Sequence, residues 1–219
     1  MEEKDCWKFF DCLRDFNNKT AYEERLAAIG LSVRSRDGKE PGYFPFRELG
    51  SFLAQQERVV DTVSYSLNPN HFHLILRQLQ DKGISNFMHK VGLGFTNYFN
   101  KKYEHSGHVL QGPFKAIEID SEEYLMWLLG YVNGNIEIHG LGRASGYPWS
   151  SYQAICKSII GKKLSRLSAL TGLEFISERF KNLNEFEKHI GNVIEESKEI
   201  KASKEKEKRK MRKYLLESL

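Results

Sequence analysis

The most informative stretch of this 219-residue sequence runs Asn68-Pro69-Asn70-His71-Phe72-His73-Leu74-Ile75-Leu76. Its second half alternates, and because successive residues of a strand point to opposite faces, we expect Phe72, Leu74 and Leu76 to enter the core. Both imidazoles then project together from the other face, as half of a metal site. Residues 59–67 alternate as well, and the Pro-Asn pair between the two segments is a turn signal. The two segments are therefore predicted to form an antiparallel hairpin.

Helical periodicity surrounds this hairpin. Apolar residues recur at three- and four-residue steps from Ile84 to Phe99, which predicts a long amphipathic helix with Ser85 as its N-cap. Ser121 can cap a further helix, and the two glutamates that follow it are favourable against the helix dipole. Other predicted elements are a helix over 5–16, a loop over 30–45, a short helix over 46–56, a strand over 109–120 with a kink at Gly112-Pro113, and helical patches around 164–173 and 186–194.

Strands separated by packed helices predict an α+β fold with a central antiparallel sheet. We expect one domain over residues 1–155, with 17 basic and 19 acidic residues, and a helical basic extension over 156–219, with 16 and 10. Within the extension, Lys201 to Lys213 contains eight basic and two acidic residues. Such a run is usually a solvated helix, and affinity for nucleic acid is the alternative. Residues 77–115 are also locally basic, which suits a polyanionic partner.

The sequence indicates an intracellular protein. Its first residues are charged, and no apolar run approaches the length that crosses a bilayer, so no membrane partner is expected. The three cysteines share no metal-type spacing, which favours reduced thiols over a disulfide framework. We expect the protein to work in the cytoplasm.

Tyr131 and Asn135 lie four residues apart on the helix that follows Ser121, and therefore on one face of it. This spacing offers a nucleophile beside a ligand, and an amide oxygen with two neutral imidazoles would suit Mg²⁺ or Mn²⁺. In the alternative interpretation, Tyr131 is a packing aromatic and Asn135 is a residue of the helix C-terminus, helped by Gly134. Periodicity alone favours that alternative.

Five motifs reverse this preference, because in order and spacing they resemble the single-tyrosine HUH transposases. The greatest similarity is to the REP-associated tyrosine transposases of the insertion-sequence-200-like group, over about residues 5–152. The motifs are Asn68-Pro69-Asn70-His71-Phe72-His73-Leu74, Phe99-Asn100-Lys101-Lys102-Tyr103, Ser106-Gly107-His108-Val109-Leu110-Gln111-Gly112-Pro113-Phe114-Lys115, Tyr131-Val132-Asn133-Gly134-Asn135 and Tyr147-Pro148-Trp149-Ser150-Ser151-Tyr152.

The resemblance implies a ferredoxin-like HUH domain that acts on single-stranded or hairpin DNA in the bacterial nucleoid, as a monomer or homodimer. It implies that His71 and His73 bind the divalent cation, that Asn135 is the third ligand, and that Tyr131 attacks the scissile phosphate. In this family the attack leaves a 5′-phosphotyrosine and a free 3′-hydroxyl, and the covalent bond lets a second strand be joined without ATP.

Six residues are candidate DNA contacts in this interpretation. In the alternative interpretation, the lysines are ordinary surface residues and His108 is a hydrogen-bonded structural residue. The candidates are Arg77, Lys90, Lys101, Lys102, His108 and Lys115.

The chain departs from the family pattern at several points. The strand that opens family members has no counterpart, so we expect the N-terminal strand to be missing and a sheet edge to need cover from a dimer or from the tail. Gly130 and Pro113 stand where the family has arginines, and Ile136 where it has a proline. These differences motivate a second hypothesis, a truncated or domesticated relative that binds structured single-stranded DNA without cutting it.

Two other tyrosines are rival nucleophiles. Tyr98 shares its apolar stripe with Phe95 and Phe99, which predicts a core position, and Tyr103 has no ligand partner at helical spacing. A third hypothesis, a metal-dependent hydrolase unrelated to DNA, is disfavoured because no general-base carboxylate lies near either motif.

Overall fold

The computed structural model describes residues 2–17, 58–162 and 169–217, and of residues 208–217 only the helical backbone. These residues form an α+β protein, as predicted. The strands are β1 (Val60–Leu67) and β2 (Phe72–Gln78), and the helices are α1 (Glu3–Asp15), α2 (Gly83–Lys102), α3 (Glu122–Ile138), α4 (Tyr152–Ile159), α5 (Leu173–Ser177) and α6 (Leu183–Glu217), with a 3₁₀ turn at Ala144–Gly146. The predicted loop over 30–45 and short helix over 46–56 lie outside the described residues.

The chain divides into two compact units. The first unit contains the described parts of Met1–Thr62, Leu76–Ala116 and Ser165–Gly172, and the second contains those of Val63–Ile75, Ile117–Leu164 and Leu173–Leu219. The division into residues 1–155 and 156–219 stays a prediction. Both α3 and α6 belong to the second unit, and they pack together, so part of the predicted extension packs onto a helix of the predicted domain.

The predicted hairpin is confirmed. β1 and β2 are antiparallel, and the turn closes where the Asn68 amide donates to the His71 carbonyl at 2.8 Å. The opposite edge of β1 is covered by residues 149–151, because Leu67 N donates to Trp149 O at 2.8 Å and Ser151 N donates to Tyr65 O at 2.9 Å. The Tyr-Pro-Trp-Ser-Ser-Tyr motif therefore protects an edge of the sheet that would otherwise expose backbone donors and acceptors.

The prediction of which β2 face enters the core was wrong. Phe72, Leu74 and Leu76 are half-buried, whereas Ile75 is 4% exposed and belongs to the core of the second unit. Ile75 shares a face with His71 and His73, so the histidine face is the one that packs onto the helices. Alternation identifies two faces of a strand, but it does not say which face a helix will cover.

In the first unit, α1 and α2 are confirmed and pack against each other. Phe9 and Phe95 meet edge to face at a centroid distance of 5.2 Å. Gly94 lies so close to the Phe16 ring that a Cβ there would overlap it. A glycine at this point of α2 therefore lets the phenylalanine that follows α1 reach the backbone of α2.

The predicted N-cap of α2 was wrong by three residues, because Lys82 and not Ser85 occupies that position. The helix begins at Gly83 rather than after Ser85, and Lys82 precedes it with a left-handed φ of 53°. Gly83 lies against the Val59 carbonyl, where a Cβ would clash with backbone. The close approach of the residue before β1 therefore sets the start of α2, and the local capping preference of serine does not.

The predicted strand over residues 109–120 was also wrong. These residues are in coil, and the side chains of Phe114 and Ile117 are 42% and 77% exposed. Gly112 has a φ of 70° and is followed by Pro113, a combination that interrupts extended pairing. No strand in the described part of the chain pairs with this segment.

The second unit has an apolar core between the hairpin and α3 to α6. Helix α3 begins as predicted, because the Ser121 hydroxyl accepts from Tyr124 N at 3.2 Å. Helix α6 packs along α3, and two glycines of α3 lie directly against two β-branched side chains of α6. The core side chains are Val63, Ile75, Leu125, Leu129, Val132, Ile138, Ala144, Tyr152, Ile155, Cys156, Ile176, Phe180, Phe186, Ile190 and Ile194.

Helix was predicted at the right place around 186–194, but residues 169–172 of the other predicted patch are not helical. Instead, Thr171 N donates to the Thr62 carbonyl at 3.1 Å. All three cysteines, Cys6, Cys12 and Cys156, are buried free thiols. No helix in the described residues has the length and apolar character needed to span a membrane.

Candidate active site

The hairpin and α3 bring the predicted metal ligands and the predicted nucleophile together within the second unit. The His71 and His73 rings lie at a centroid distance of 5.0 Å, and the His73 and Tyr131 rings at 5.5 Å with an interplanar angle of 73°. Asn135, one turn further along α3 than Tyr131, is fully buried and joins His71 through a shared hydrogen-bond partner. The face predicted from the i, i+4 spacing is therefore the face that meets the histidines.

A buried polar network fixes how α3 is rotated about its axis. The Asn133 side-chain amide donates to Ser64 Oγ at 3.0 Å and accepts from Ser151 Oγ at 2.7 Å. The two hydroxyls are 2.8 Å apart, and Asn133 is fully buried. Because Tyr131 and Asn135 lie two residues on either side of Asn133, this network holds both of them on the histidine side of the helix.

Asn68 connects His71 to Asn135. Its Nδ2 lies 2.9 Å from His71 Nε2 and donates to Asn135 Oδ1 at 2.6 Å. An amide nitrogen only donates, so His71 Nε2 accepts, and the ring proton resides on Nδ1, 2.7 Å from Asn70 Oδ1. Two predicted ligand atoms, one nitrogen and one oxygen, thus accept hydrogen bonds from the same nitrogen.

On the two bonded asparagines, the remaining terminal atoms lack hydrogen-bond partners among the described residues. They are Asn68 Oδ1 and Asn135 Nδ2, and both residues are buried, at 1% and 0% exposure. A buried polar atom without a partner costs about 1–3 kcal/mol. Such a cost at a cluster of potential ligands is typical of a functional site.

The surroundings keep His73 neutral. Burial, with the nearby rings of His71 and His139, lowers the pKa of His73 to about 4. At neutral pH this imidazole therefore carries a free lone pair, which is the form that binds a cation.

Tyr131 is held between two rings. Trp127, one turn earlier on α3, stacks on it at a centroid distance of 5.2 Å and an angle of 12°, while the His73 ring approaches from another direction. Trp127 is itself tied to α6 by its indole nitrogen, which donates to Glu196 Oε2 at 3.2 Å. The phenol is therefore restricted in orientation before any substrate arrives.

Four residues of this site were not predicted: Asn68 as a connector, Trp127, His139 and Lys201. The His139 ring lies 5.5 Å from the His71 ring, and its Nδ1 is 3.3 Å from Lys201 Nζ on α6. Burial and then Lys201 lower the pKa of His139. Trp127 and His139 continue the four-residue spacing of Tyr131 and Asn135, a signal that was readable in the sequence. The place of Lys201 depends on the packing of α6.

The donor set can be compared with the predicted cation. Among the described residues, no group of three or more His, Cys, Asp or Glu side chains is arranged to hold a metal ion. A site here would need amide oxygens beside the imidazoles, as Asn135 provides. Two imidazoles with amide oxygens, one of them the partnerless Asn68 Oδ1, fit Mn²⁺ or Mg²⁺.

Two of the predicted DNA contacts are engaged with carboxylates of the first unit. Arg77 forms an ion pair with Asp61, which is 1% exposed, and its Nε donates to Asp61 Oδ2 at 3.0 Å. Lys102 Nζ lies 2.8 Å from Asp5 Oδ1 and 2.6 Å from Glu2 Oε2. These ion pairs give Arg77 and Lys102 a structural role that does not require nucleic acid.

The other four candidate contacts also belong to the first unit. Lys90 is half-buried on α2, and Lys101 is exposed near the end of that helix. His108 and Lys115 are exposed in the coil that follows it. Their contact with DNA stays a prediction.

The rival tyrosines share one partner. Tyr98 and Tyr103 both donate their hydroxyls to the buried carboxylate of Asp5, at 3.2 and 2.8 Å. Burial raises the pKa of Tyr98. A phenol that donates to a carboxylate is held in its protonated form, which disfavours both residues as nucleophiles.

Comparison with known proteins does not place this chain in a family: no family model, no curated protein and no solved structure matches it. The resemblance to the HUH transposases rests on the five motifs quoted above. The ferredoxin-like form of the α+β fold therefore belongs with the proposals.

Proposed function

We propose that this protein nicks single-stranded DNA and transfers the cut strand through a covalent 5′-phosphotyrosine on Tyr131, as the HUH transposases do. One observation carries the proposal: Tyr131 lies against His73, with a centroid distance of 5.5 Å, although the two residues come from separate motifs. The finer fold would be the ferredoxin-like HUH domain. The protein would act on nucleoid DNA in the bacterial cytoplasm, as a monomer or homodimer.

His71, His73 and Asn135 would hold the divalent cation. When bound, the cation supplies positive charge beside the scissile phosphate and offsets the charge that develops on its oxygens. His73 is suited to this role because its lowered pKa, about 4, leaves it neutral at physiological pH. His71 is suited because its Nδ1 proton is turned towards Asn70, which leaves Nε2 as an acceptor.

Tyr131 would perform the covalent step. Its hydroxyl proton passes to solvent, its oxygen forms a bond to the phosphorus, and the bond from phosphorus to the 3′ oxygen breaks. The 3′ oxygen takes up a proton and leaves as a free hydroxyl, and attack by another 3′-hydroxyl reverses the step. Stacking on Trp127 limits the orientations of the phenol, which lowers the entropic part of the barrier.

The contacts of the site favour this chemistry over metal-dependent hydrolysis. In the described part of the chain, the polar and ring contacts of His71, His73 and Tyr131 come from amides, imidazoles and an indole. None of them is a carboxylate that could activate water as a general base. Attack by the tyrosine side chain does not require a general base that activates water.

A covalent-adduct assay tests the proposal. The purified protein is incubated with Mn²⁺ and a fluorescent single strand that contains a hairpin, and the products are separated on a denaturing gel. We expect a protein band that carries the label and that disappears in Tyr131→Phe. Tyr98→Phe and Tyr103→Phe are matched controls and should retain the band.

The outcomes separate the hypotheses. DNA binding without an adduct would support the relative that binds structured single strands without cutting them. An adduct that persists in Tyr131→Phe would show that another residue is the nucleophile. Absence of any binding to single-stranded DNA would contradict both functions.

A further inference from the structure

Asn68 bridges two of the proposed ligands, His71 and Asn135. Its side chain is 1% exposed, and its Nδ2 lies 2.9 Å from His71 Nε2 and 2.6 Å from Asn135 Oδ1. Nothing in the i, i+2 spacing of the histidines or the i, i+4 spacing on α3 assigns it a role. Its position nevertheless makes it the only described side chain that bonds to both His71 and Asn135.

The distances match those between neighbouring ligands of one cation. In an octahedral site with bonds of about 2.1 Å, adjacent ligand atoms are about 3.0 Å apart, which is √2 times the bond length. The terminal atom of Asn68 is 2.9 and 2.6 Å from the two ligand atoms. It therefore stands at the spacing of a third ligand, with a nitrogen where an oxygen would be needed.

The other terminal atom of Asn68 is that oxygen, and it has no partner among the described residues. Turning the amide over would exchange Nδ2 for Oδ1 at the same point. This rotation breaks no hydrogen bond of Oδ1, and the two acceptors that lose Nδ2 are the proposed ligands themselves. Asn68 Oδ1 would therefore lack a partner in the cation-free protein because its partner is the cation, while Nδ2 serves as the donor to the other ligands.

We propose that Asn68 is a further ligand residue of this cation site, through Oδ1, and that in the cation-free protein its Nδ2 holds His71 and Asn135 in place. The proposal rests on the cation site of the proposed function, but it does not require DNA cleavage. Asn68 lies outside the histidine pair and the tyrosine helix, so it increases the number of oxygen donors that a hard cation would meet.

The test measures Mn²⁺ binding to the full chain by electron paramagnetic resonance, in which free Mn²⁺ gives the signal. Asn68→Asp places a carboxylate oxygen at the same point, and we expect affinity to rise by about tenfold or more, because ligand charge tunes the strength of oxygen sites. Asn68→Leu should weaken binding by about tenfold or more, the usual range for loss of a group that orients ligands.

Asn182→Asp is the matched control. It makes the same chemical change in the same unit, at an exposed residue whose Oδ1 accepts from Glu185 N at 2.9 Å, a role that aspartate also fills. We expect its Mn²⁺ affinity to equal that of the unmodified chain. A gain in Asn182→Asp as large as that in Asn68→Asp would attribute the effect to net charge and overturn the proposal.

Circular dichroism without metal shows whether each variant is folded. If Asn68→Leu fails to fold, the comparison of Asn68→Asp with Asn182→Asp still decides. Binding to the unmodified chain with no change in Asn68→Asp would refute the role of Asn68 and leave the cation site intact. Absence of Mn²⁺ binding in the unmodified chain and in Asn68→Asp would refute the cation site and the role of Asn68 together.

Discussion

Gly130 tests how closely α6 packs onto the tyrosine helix. A Cβ at this position would lie 2.6 Å from both Cβ and Cγ2 of Val193 and 2.9 Å from its Cγ1. Carbon atoms in contact are normally about 3.5–4.0 Å apart, so the overlap is close to 1 Å. Such overpacking typically costs about 1–3 kcal/mol.

The intrinsic helix preference of alanine acts in the opposite direction. Replacing glycine by alanine in an open helix stabilises it by about 1 kcal/mol. Gly191 offers this reference, because it lies on α6 with nothing within 4 Å of the position that a Cβ would take. We expect Gly191→Ala to raise the free energy of unfolding by about 0.5–1 kcal/mol, and Gly130→Ala, in which the two effects oppose each other, to lower it by up to about 2 kcal/mol.

Urea denaturation monitored by circular dichroism measures both effects. A double variant, Gly130→Ala with Val193→Ala, should recover part of the loss, because the second change removes the methyl groups that the new Cβ meets. Equal stabilisation by Gly130→Ala and Gly191→Ala would refute the close packing. It would also show that packing against α6 does not explain why Gly130 stands where the HUH transposases have arginine.

Three further perturbations test the site and its support. The pKa of His73 is about 4 in the folded protein and about 6.5 in the unfolded chain, so the unfolded chain binds a proton first as pH falls. The free energy of unfolding in metal-free buffer should therefore decline between pH 6.5 and 4, more steeply than it does in His73→Asn. Titration of the His73 ring near pH 6.5, followed by NMR, would contradict this prediction. Asn133→Ala should lower the free energy of unfolding by about 1–3 kcal/mol, measured in urea, because it leaves two buried serine hydroxyls short of a partner; an unchanged midpoint would show that the network does not hold α3. Lys201→Gln should weaken binding to single-stranded DNA and reduce the slope of log affinity against log salt by about one, whereas an unchanged slope would leave this lysine as a solvated residue of α6.

Local patterns predicted the hairpin and helix that carry the site, and also the long helix of the first unit. The hairpin about Pro69-Asn70, the long helix α2 and the Ser121 cap of α3 follow from alternation, periodicity and capping, each of which acts within a few residues. The i, i+4 relation of Tyr131 and Asn135 is equally local. These features carry over into the structure because tertiary packing reinforces them.

Features that depend on tertiary contacts were missed. The start of α2 is set by the Val59 carbonyl against Gly83, and the buried face of β2 is set by the helix that covers it. Residues 109–120 have strand-like composition, but a strand also needs a partner, and composition does not supply one. The roles of Asn68 and Lys201 arise only when residues distant in sequence are brought together.

The polarity of the cut tests the central proposal most directly. A single strand with a hairpin is labelled at its 5′ end in one sample and at its 3′ end in another, and each is incubated with the protein and Mn²⁺. We predict that the 3′ label becomes covalently attached to the peptide containing Tyr131, as mapped by mass spectrometry. We also predict that the 5′-labelled fragment is released with a 3′-hydroxyl that a polymerase can extend. Release of both fragments without any attachment to Tyr131 would contradict the proposed transfer mechanism.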